Sequence, residues 1–348
     1  NFTCMVPHAD HWMMAAEPYF KWQDGTASLW SAVYSQGNDS RYVVSTLLEF
    51  LIIKYTNWNL RIESMLCVLL ALGSAACVIF LFRRLQRGWV AWLSALLACV
   101  LILSPQQWMN WTFGVQLCYA SVVLSTIGVV VMFQKSWPLV LRSAAGAGCA
   151  IVASHSFING WFAWVIGLVF LIREARTGNH HRRALFMSHL IWIVLFAGTA
   201  AVYFSGYGDG TRTSDGTSLL GRVMANPGAY LNFFVSVLGA PFADGWASWD
   251  RETRIYLTHV LGPLMGVLSL ALFGFALMAF LRRDRARCGA GVLPFVVLAF
   301  WGLANAAVIA LGRTGMAISD PFQSRYLAYI VWFHIGTLAL LTTLDGGI

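Results

Sequence analysis

Charged residues are scarce in this chain, at 11% of 348, where soluble domains usually carry about a quarter. A sequence that is 58% hydrophobic, and broken into many separate apolar runs, does not read as one soluble core. Several runs reach the roughly 20 residues that a helix needs to cross about 30 Å of hydrocarbon. Other absences narrow the function. There is no Walker A loop, no G-x-S-x-G and no H-E-x-x-H. No charge falls inside an expected span except near its edges, which counts against an ion-coupled pump, since pumps need titratable groups at depth. The seven cysteines (Cys4, Cys67, Cys77, Cys99, Cys118, Cys149, Cys288) show no C-x-x-C or Cys/His spacing. They read as small packing residues, not as a zinc site or a disulfide framework. No internal repeat, low-complexity linker or second domain is evident.

What is present predicts an all-α fold, a polytopic transmembrane helical bundle of about nine to ten spans. Residues 1–60 form a first outer loop, and 61–348 the bundle. Within the loop, Tyr42–Thr56 is apolar but interrupted by Glu49 and Lys54, and reads as a helix lying at the interface. Spans are expected over 61–82, 89–104, 113–133, 143–157, 158–173, 185–205, 257–281, 290–311 and 326–344. The run 229–241 ends at Pro241 and is too short to span, so it reads as re-entrant or partial.

The net charge of +8 does not point to nucleic acid. Its basic residues sit in short clusters between apolar runs: Arg83, Arg84, Arg87; Lys135, Arg142; Arg173, Arg176, Arg182, Arg183; Arg282, Arg283, Arg285, Arg287. The proposed inner segments hold 13 Lys/Arg against 3 acids, and the outer ones 10 against 12, the asymmetry that orients membrane proteins. This orientation sets Asn1 outside the cytoplasm, and so expects a further helix upstream. It leaves outer segments 1–60, 206–256 and 312–325.

Candidate chemistry gathers in those outer segments. VPHADHWMMAAEPYF and YSQGNDSRYVVSTLL place Asp10, His11, Glu17, Asp39 and Arg41 between a membrane exit and the interfacial helix. A carboxylate there suits taking a proton from an acceptor hydroxyl, or binding a divalent cation (Mg or Mn) near a phosphate, with Asp10 as candidate ligand. Solvated loop acids are the alternative, although Pro7, Trp12, Pro18 and Tyr19 favour a packed loop around Asp10. In LGRTGMAISDPFQSRYLAYIVWF, Arg313 leaves one helix and Arg325 enters the next. Two guanidiniums at the hydrocarbon boundary suit a lipid phosphate, with Gln323, Ser324 and Tyr326 as further donors. Snorkelling arginines paired with Asp320 are the alternative. The turn SPQQWMNWTFG offers Trp108 and Asn110 to a sugar, or to the membrane interface. His155 and Asn159 lie in a polar kink, SHSFING, as substrate contacts or structural residues. The Gly/Ser/Thr-rich stretch 206–222 reads as a flap.

These stretches together resemble the GT-C superfamily of membrane glycosyltransferases, in particular its little-characterised bacterial members. The likeness covers most of the chain. It rests on Pro7-His8-Ala9-Asp10-His11-Trp12, Asn38-Asp39-Ser40-Arg41, the Ser104–Trp111 turn, the Ser154–Gly160 kink and Gln323-Ser324-Arg325-Tyr326. It implies transfer of a sugar, with inversion, from a polyprenyl-phosphate carrier to a cell-envelope glycan or lipid acceptor. The reaction would occur at the extracytoplasmic face of a bacterial inner membrane. It also implies that Asp10 is the base or metal ligand, and that Arg325 with Arg313 holds the lipid phosphate. Related chains carry an acid followed by His-Arg where this one has Asp39-Ser40-Arg41; that histidine is missing here. Rival readings are a lipid-linked glycan transporter or flippase, and an outer-face glycan ligase or polymerase. The glycosyltransferase reading expects a cavity bounded by 1–41 and 312–326 and open to lipid.

Overall fold

In the computed structural model the described residues are 9–37, 40–85, 88–178, 181–208, 219–243, 251–282, 285–314 and 320–344. The protein is an all-α polytopic bundle, 87% helical. Among the described residues, eight helices are long and apolar enough to cross a membrane, or nine if one bent pair counts as a span. It is an integral membrane protein. Packing divides it into two compact units: residues 1–77 with 109–212, and 78–108 with 213–348. The first 60 residues therefore belong to the same unit as the spans that follow them.

Unit 1 opens with α1 (Ala9–His11) and α2 (Glu17–Gln23), continuous through a π-helical turn, Trp12–Ala16. Helix α3 (Leu29–Val33) starts where the Ser28 hydroxyl accepts the Ser31 N–H. A two-stranded hairpin follows, β1 (Gln36–Gly37) against β2 (Ser40–Arg41), then α4 (Val43–Thr56). Tyr19, Ala32, Val33, Phe50 and Ile53 form a small core that fixes this first loop as packed structure.

Helix α4 turns Leu47, Leu51 and Tyr55, four residues apart, outward along one exposed stripe. Glu49, expected as a polar break in an interfacial helix, instead points inward and is 2% exposed. The helix ends at Asn57 (φ 53°) and Trp58 (φ 56°), both left-handed, a conformation that a bulky residue adopts only when its surroundings force it. Helix α5 (Leu60–Leu85) then begins; its part up to Cys77 belongs to unit 1.

The remaining helices of unit 1 are α8 (Leu117–Phe133), α9 (Leu139–Ser154), α10 (Phe162–Thr177) and α11 (Arg182–Phe204); α9, where the sequence predicts a span over 143–157, is a shorter apolar helix and is not among the eight. The Trp192 ring of α11 lies over Gly167 of α10, where any side chain would collide with it, and its Nε1–H bonds to Trp164 O at 3.2 Å. Helix α9 begins at Leu139, four residues before the expected 143, because Arg142 is drawn into the fold. Its Nη1 donates to Glu174 Oε1 (3.1 Å) and to Phe133 O (3.0 Å).

Unit 2 contains α6 (Trp89–Ile102), followed by the start of α7 (Trp108–Thr112), and then α12 (Leu219–Ala225) and α13 (Pro227–Ala243), bent by 95°. The apolar run 229–241 thus lies inside a 17-residue helix. Its remaining helices are α14 (Arg251–Arg282), α15 (Arg285–Arg313) and α16 (Leu327–Leu344). Helices α13 and α14 touch backbone to backbone: a Cβ on Gly239 would lie 1.9 Å from Gly262 O, and one on Gly266 1.8 Å from Val235 O. Small residues at a helix crossing replace the hydrophobic drive that lipid does not supply. Gly302 faces Phe333 and Gly336 faces Phe295, so α15 and α16 run antiparallel. His334, buried in α16, bonds through Nε2 to Leu238 O of α13 at 2.9 Å.

Candidate functional site

Helices α5, α8 and α10 begin, and α9 and α11 end, at one end of unit 1, where the first loop covers them. Backbone bonds tie the loop down: Val44 N–H donates to His155 O (3.0 Å), and Ile158 N–H to Ser40 Oγ (3.3 Å). Gln36 pairs with Gly208 in both directions.

Arg41 lies at the centre of this covering. It is 6% exposed, and its guanidinium donates to Tyr34 O and to Ser205 O (2.7 Å). The faces of Tyr34 (5.5 Å) and Tyr207 (5.9 Å) lie against it, and its backbone N–H donates to the Tyr203 hydroxyl at 3.1 Å. Among the described residues its Nε–H has no acceptor, and no carboxylate lies within ion-pair distance. Carbonyl dipoles and aromatic quadrupoles offset part of a buried positive charge, but not all of it. The arrangement suits an incoming anionic oxygen.

His155 closes the same region, with Tyr34 and Tyr203 edge-on to its ring, each at 5.9 Å. Its Nδ1 lies 3.0 Å from Ile151 O. A carbonyl only accepts, so Nδ1 carries the hydrogen and Nε2 keeps its lone pair. Burial pushes the imidazole below its ordinary pKa, the Ile151 carbonyl opposes that, and the Arg41 charge lowers it further. The result is a neutral acceptor beside a cation. Asn159 is buried in the Ile158–Trp161 turn that follows.

Asp10 is exposed on α1. Its charge reaches the hydroxyl of Tyr42, the residue after Arg41. Burial raises that phenol first, then Cys118 and Tyr119, with Asp10 adding and a Ser40 hydrogen bond opposing. His11, next to Asp10, is 3% exposed, with Nε2 3.2 Å from Glu63 Oε2 and accepting the Val115 N–H at 3.1 Å. Trp58 Nε1–H donates to Glu63 Oε1 at 3.0 Å, a bond that secures the left-handed Trp58. Glu49 is buried beside Glu63; burial first, and then Glu63, push its carboxyl well above the usual range. Asp10, His11, Arg41, His155 and Asn159 all belong to unit 1, as does Asn110, which is 3% exposed. Asp39 lies outside the described residues, as do 209–218 of the expected flap.

Trp108, Arg313, Gln323, Arg325 and Tyr326 belong to unit 2. Trp108 is 53% exposed there, while Gln107 is turned in to hold the last carbonyls of α6, at Leu101 and Ile102. The antiparallel register of α15 and α16 brings Arg313 and the Ser324–Tyr326 turn to the same end of this unit. Ser324 Oγ donates to Gln106 O (2.6 Å), the Arg325 guanidinium lies 5.5 Å from the Tyr326 ring centre, and the Tyr326 hydroxyl is buried without a partner among the described residues. Asp320 Oδ1 accepts the Phe322 N–H, which shapes the turn. Asp10 and Arg325 thus fall in different units.

Among the described residues no group of three His, Cys, Asp or Glu side chains is arranged to hold a metal. Asp10 alone does not make such a site. Comparison with known protein families, with curated proteins and with solved structures found no match.

Sequence reasoning passed over Glu63, Tyr34, Tyr203 and Tyr207 and misjudged Glu49. Tyr203 and Tyr207 end an apolar run, where aromatics are routine at an interface. Their spacing of four along the chain, directed at one buried arginine, was the available signal.

Proposed function

We propose that the protein is a membrane glycosyltransferase, taking a sugar from a polyprenyl-phosphate carrier and passing it to a cell-envelope glycan or lipid acceptor. The observation that carries this reading is Arg41: a buried guanidinium with an open N–H, no carboxylate among the described residues, and a neutral histidine and three tyrosines around it. Aromatic faces and neutral acceptors suit sugar hydroxyls, and the cation suits the negative oxygens of the donor. Asp10, exposed on the same unit, is the acceptor base. In the reaction the acceptor oxygen bonds to the anomeric carbon as the bond from that carbon to the phosphate oxygen breaks. The phosphate leaves with the electron pair, the hydroxyl proton passes to Asp10, and the single displacement inverts the anomeric centre.

Positioned cations act on charge that grows in the transition state, and losing one such donor typically costs about 10²–10³ in rate. Arg41 is assigned this work in unit 1. The resemblance to GT-C enzymes assigns Arg325 and Arg313 to the lipid phosphate. The excess of inner over outer basic residues supports an extracytoplasmic reaction face in a bacterial inner membrane. The test is transfer from radiolabelled polyprenyl-phosphate hexoses to a membrane acceptor fraction, with Asp10→Asn and Arg325→Ala beside the wild type. Each variant is expected to lose at least about a hundredfold. Transfer retained in both removes the mechanism.

A further inference from the structure

We propose that His155 is the specificity-determining residue of the Arg41 site: its Nε2 accepts a hydrogen bond from the 2-hydroxyl of the transferred hexose, while the Arg41 guanidinium holds the anomeric phosphate. The inference deepens the glycosyltransferase reading and rests on it, because it names the class of sugar that the donor carries.

The two side chains come from different elements, Arg41 from β2 and His155 from the end of α9, and both are more than nine-tenths buried. Each keeps one hydrogen-bonding atom without a partner among the described residues, and the two atoms are of opposite sense. The guanidinium uses its terminal nitrogens on Tyr34 O and Ser205 O, which leaves the Nε–H. No carboxylate among the described residues lies within ion-pair distance of it. The imidazole uses Nδ1–H on Ile151 O, which leaves the lone pair of Nε2. Burial and the Arg41 charge both oppose a second proton on that ring.

A buried donor and a buried acceptor that go unanswered each cost free energy until a ligand arrives. One ligand answers both only if it carries an anionic oxygen and a hydroxyl close together. Tyr34 sets the spacing. Its ring centre lies 5.5 Å from the guanidinium carbon and 5.9 Å from the imidazole centre. Both groups border one ring, a separation that two hydrogen bonds of about 3 Å each can bridge when they meet on neighbouring oxygens. In a glycosyl phosphate the hydroxyl nearest the phosphate is the one on the carbon beside the anomeric centre. Tyr203 ties the two residues together: its hydroxyl accepts the Arg41 backbone N–H at 3.1 Å and its ring lies edge-on to His155. Tyr34 is only partly buried, and the exposed Trp30 stacks on it at 3.9 Å, so the cluster borders the surface of the unit.

The test is equilibrium binding of tritiated short-chain prenyl phosphates carrying glucose, mannose or 2-deoxyglucose to the full chain in detergent. Because glucose and mannose differ only at that carbon, 2-deoxyglucose is the deoxy form of both. The wild type should bind the better of the two hexoses at least about tenfold more tightly than the deoxy probe. His155→Leu should bring that ratio close to one. His155→Gln, whose amide oxygen can accept where Nε2 did, should restore part of it. The ratio compares two ligands on one preparation, so a variant that folds poorly still reports it. A wild-type ratio near one overturns the proposal, as does a site that holds water and binds no probe. So does a ratio that survives in His155→Leu, or a His155→Gln variant no better than His155→Leu. Discrimination in binding with no transfer in any assay sinks the enzyme reading and leaves the site; transfer without discrimination does the reverse.

Discussion

Arg142 and Arg41 are almost equally buried, at 8% and 6% exposure, in the same unit of the molecule. Arg142 sits near the start of α9 and Arg41 beside His155 at its end, about 20 Å along the helix axis. Arg142 is answered by a carboxylate, Glu174, and by the Phe133 carbonyl. Arg41 is answered by carbonyls and ring faces, with no carboxylate among the described residues within ion-pair distance. The first is an ion pair that joins the start of α9 to α10. The second is a charge left partly uncompensated at the other end, among polar side chains from several elements. Burial alone does not separate the two arginines; the identity of the partner does.

The sharpest way to break this comparison is to strip each arginine of its support. Glu174→Ala leaves Arg142 buried without its partner, and should cost roughly 3–5 kcal/mol in unfolding by a denaturing detergent. Transfer per folded molecule should be unchanged. A loss of activity larger than the loss of folded protein would show that the Arg142–Glu174 pair also serves the reaction.

A smaller effect concerns pH. Burial holds the His155 imidazole below its ordinary pKa, so the unfolded chain takes up a proton that the folded one refuses. The stability is fully present above about pH 6.5 and is lost as pH falls from there through the lower folded value. His155→Gln should flatten the fall in thermal midpoint between about pH 7.5 and 5. An unchanged slope would place the acid sensitivity elsewhere. The smallest expected effect is that of Tyr203→Phe, which removes the hydroxyl that accepts the Arg41 backbone N–H. It should destabilise by about 0.5–1.5 kcal/mol, with transfer reduced less than by loss of the guanidinium.

The spans were legible because run length against bilayer thickness is a strong signal, and the kink at His155 because polar residues interrupted two apolar runs. The boundary at Leu139 was not, since Arg142 looks like a loop residue until Glu174, 32 positions later, is known to meet it. Asp10, His11, Arg41, His155 and Asn159 could be nominated from local composition. The pairing of His11 with Glu63 could not, because 52 residues separate them. Glu49 was misplaced for the same reason: a carboxylate in a short apolar run looks like a solvent-facing interruption. Only the fold, which buries it beside Glu63, shows that it is turned inward.

The proposed division of labour is that Arg41 acts on substrate and Arg142 on structure. Arg41→Gln and Glu174→Ala should be compared in one transfer assay with labelled polyprenyl-phosphate hexoses, each rate divided by the fraction of folded protein. The expected result is a drop of about 10²–10³ for Arg41→Gln and wild-type transfer for Glu174→Ala. Transfer undiminished in Arg41→Gln would contradict the assignment.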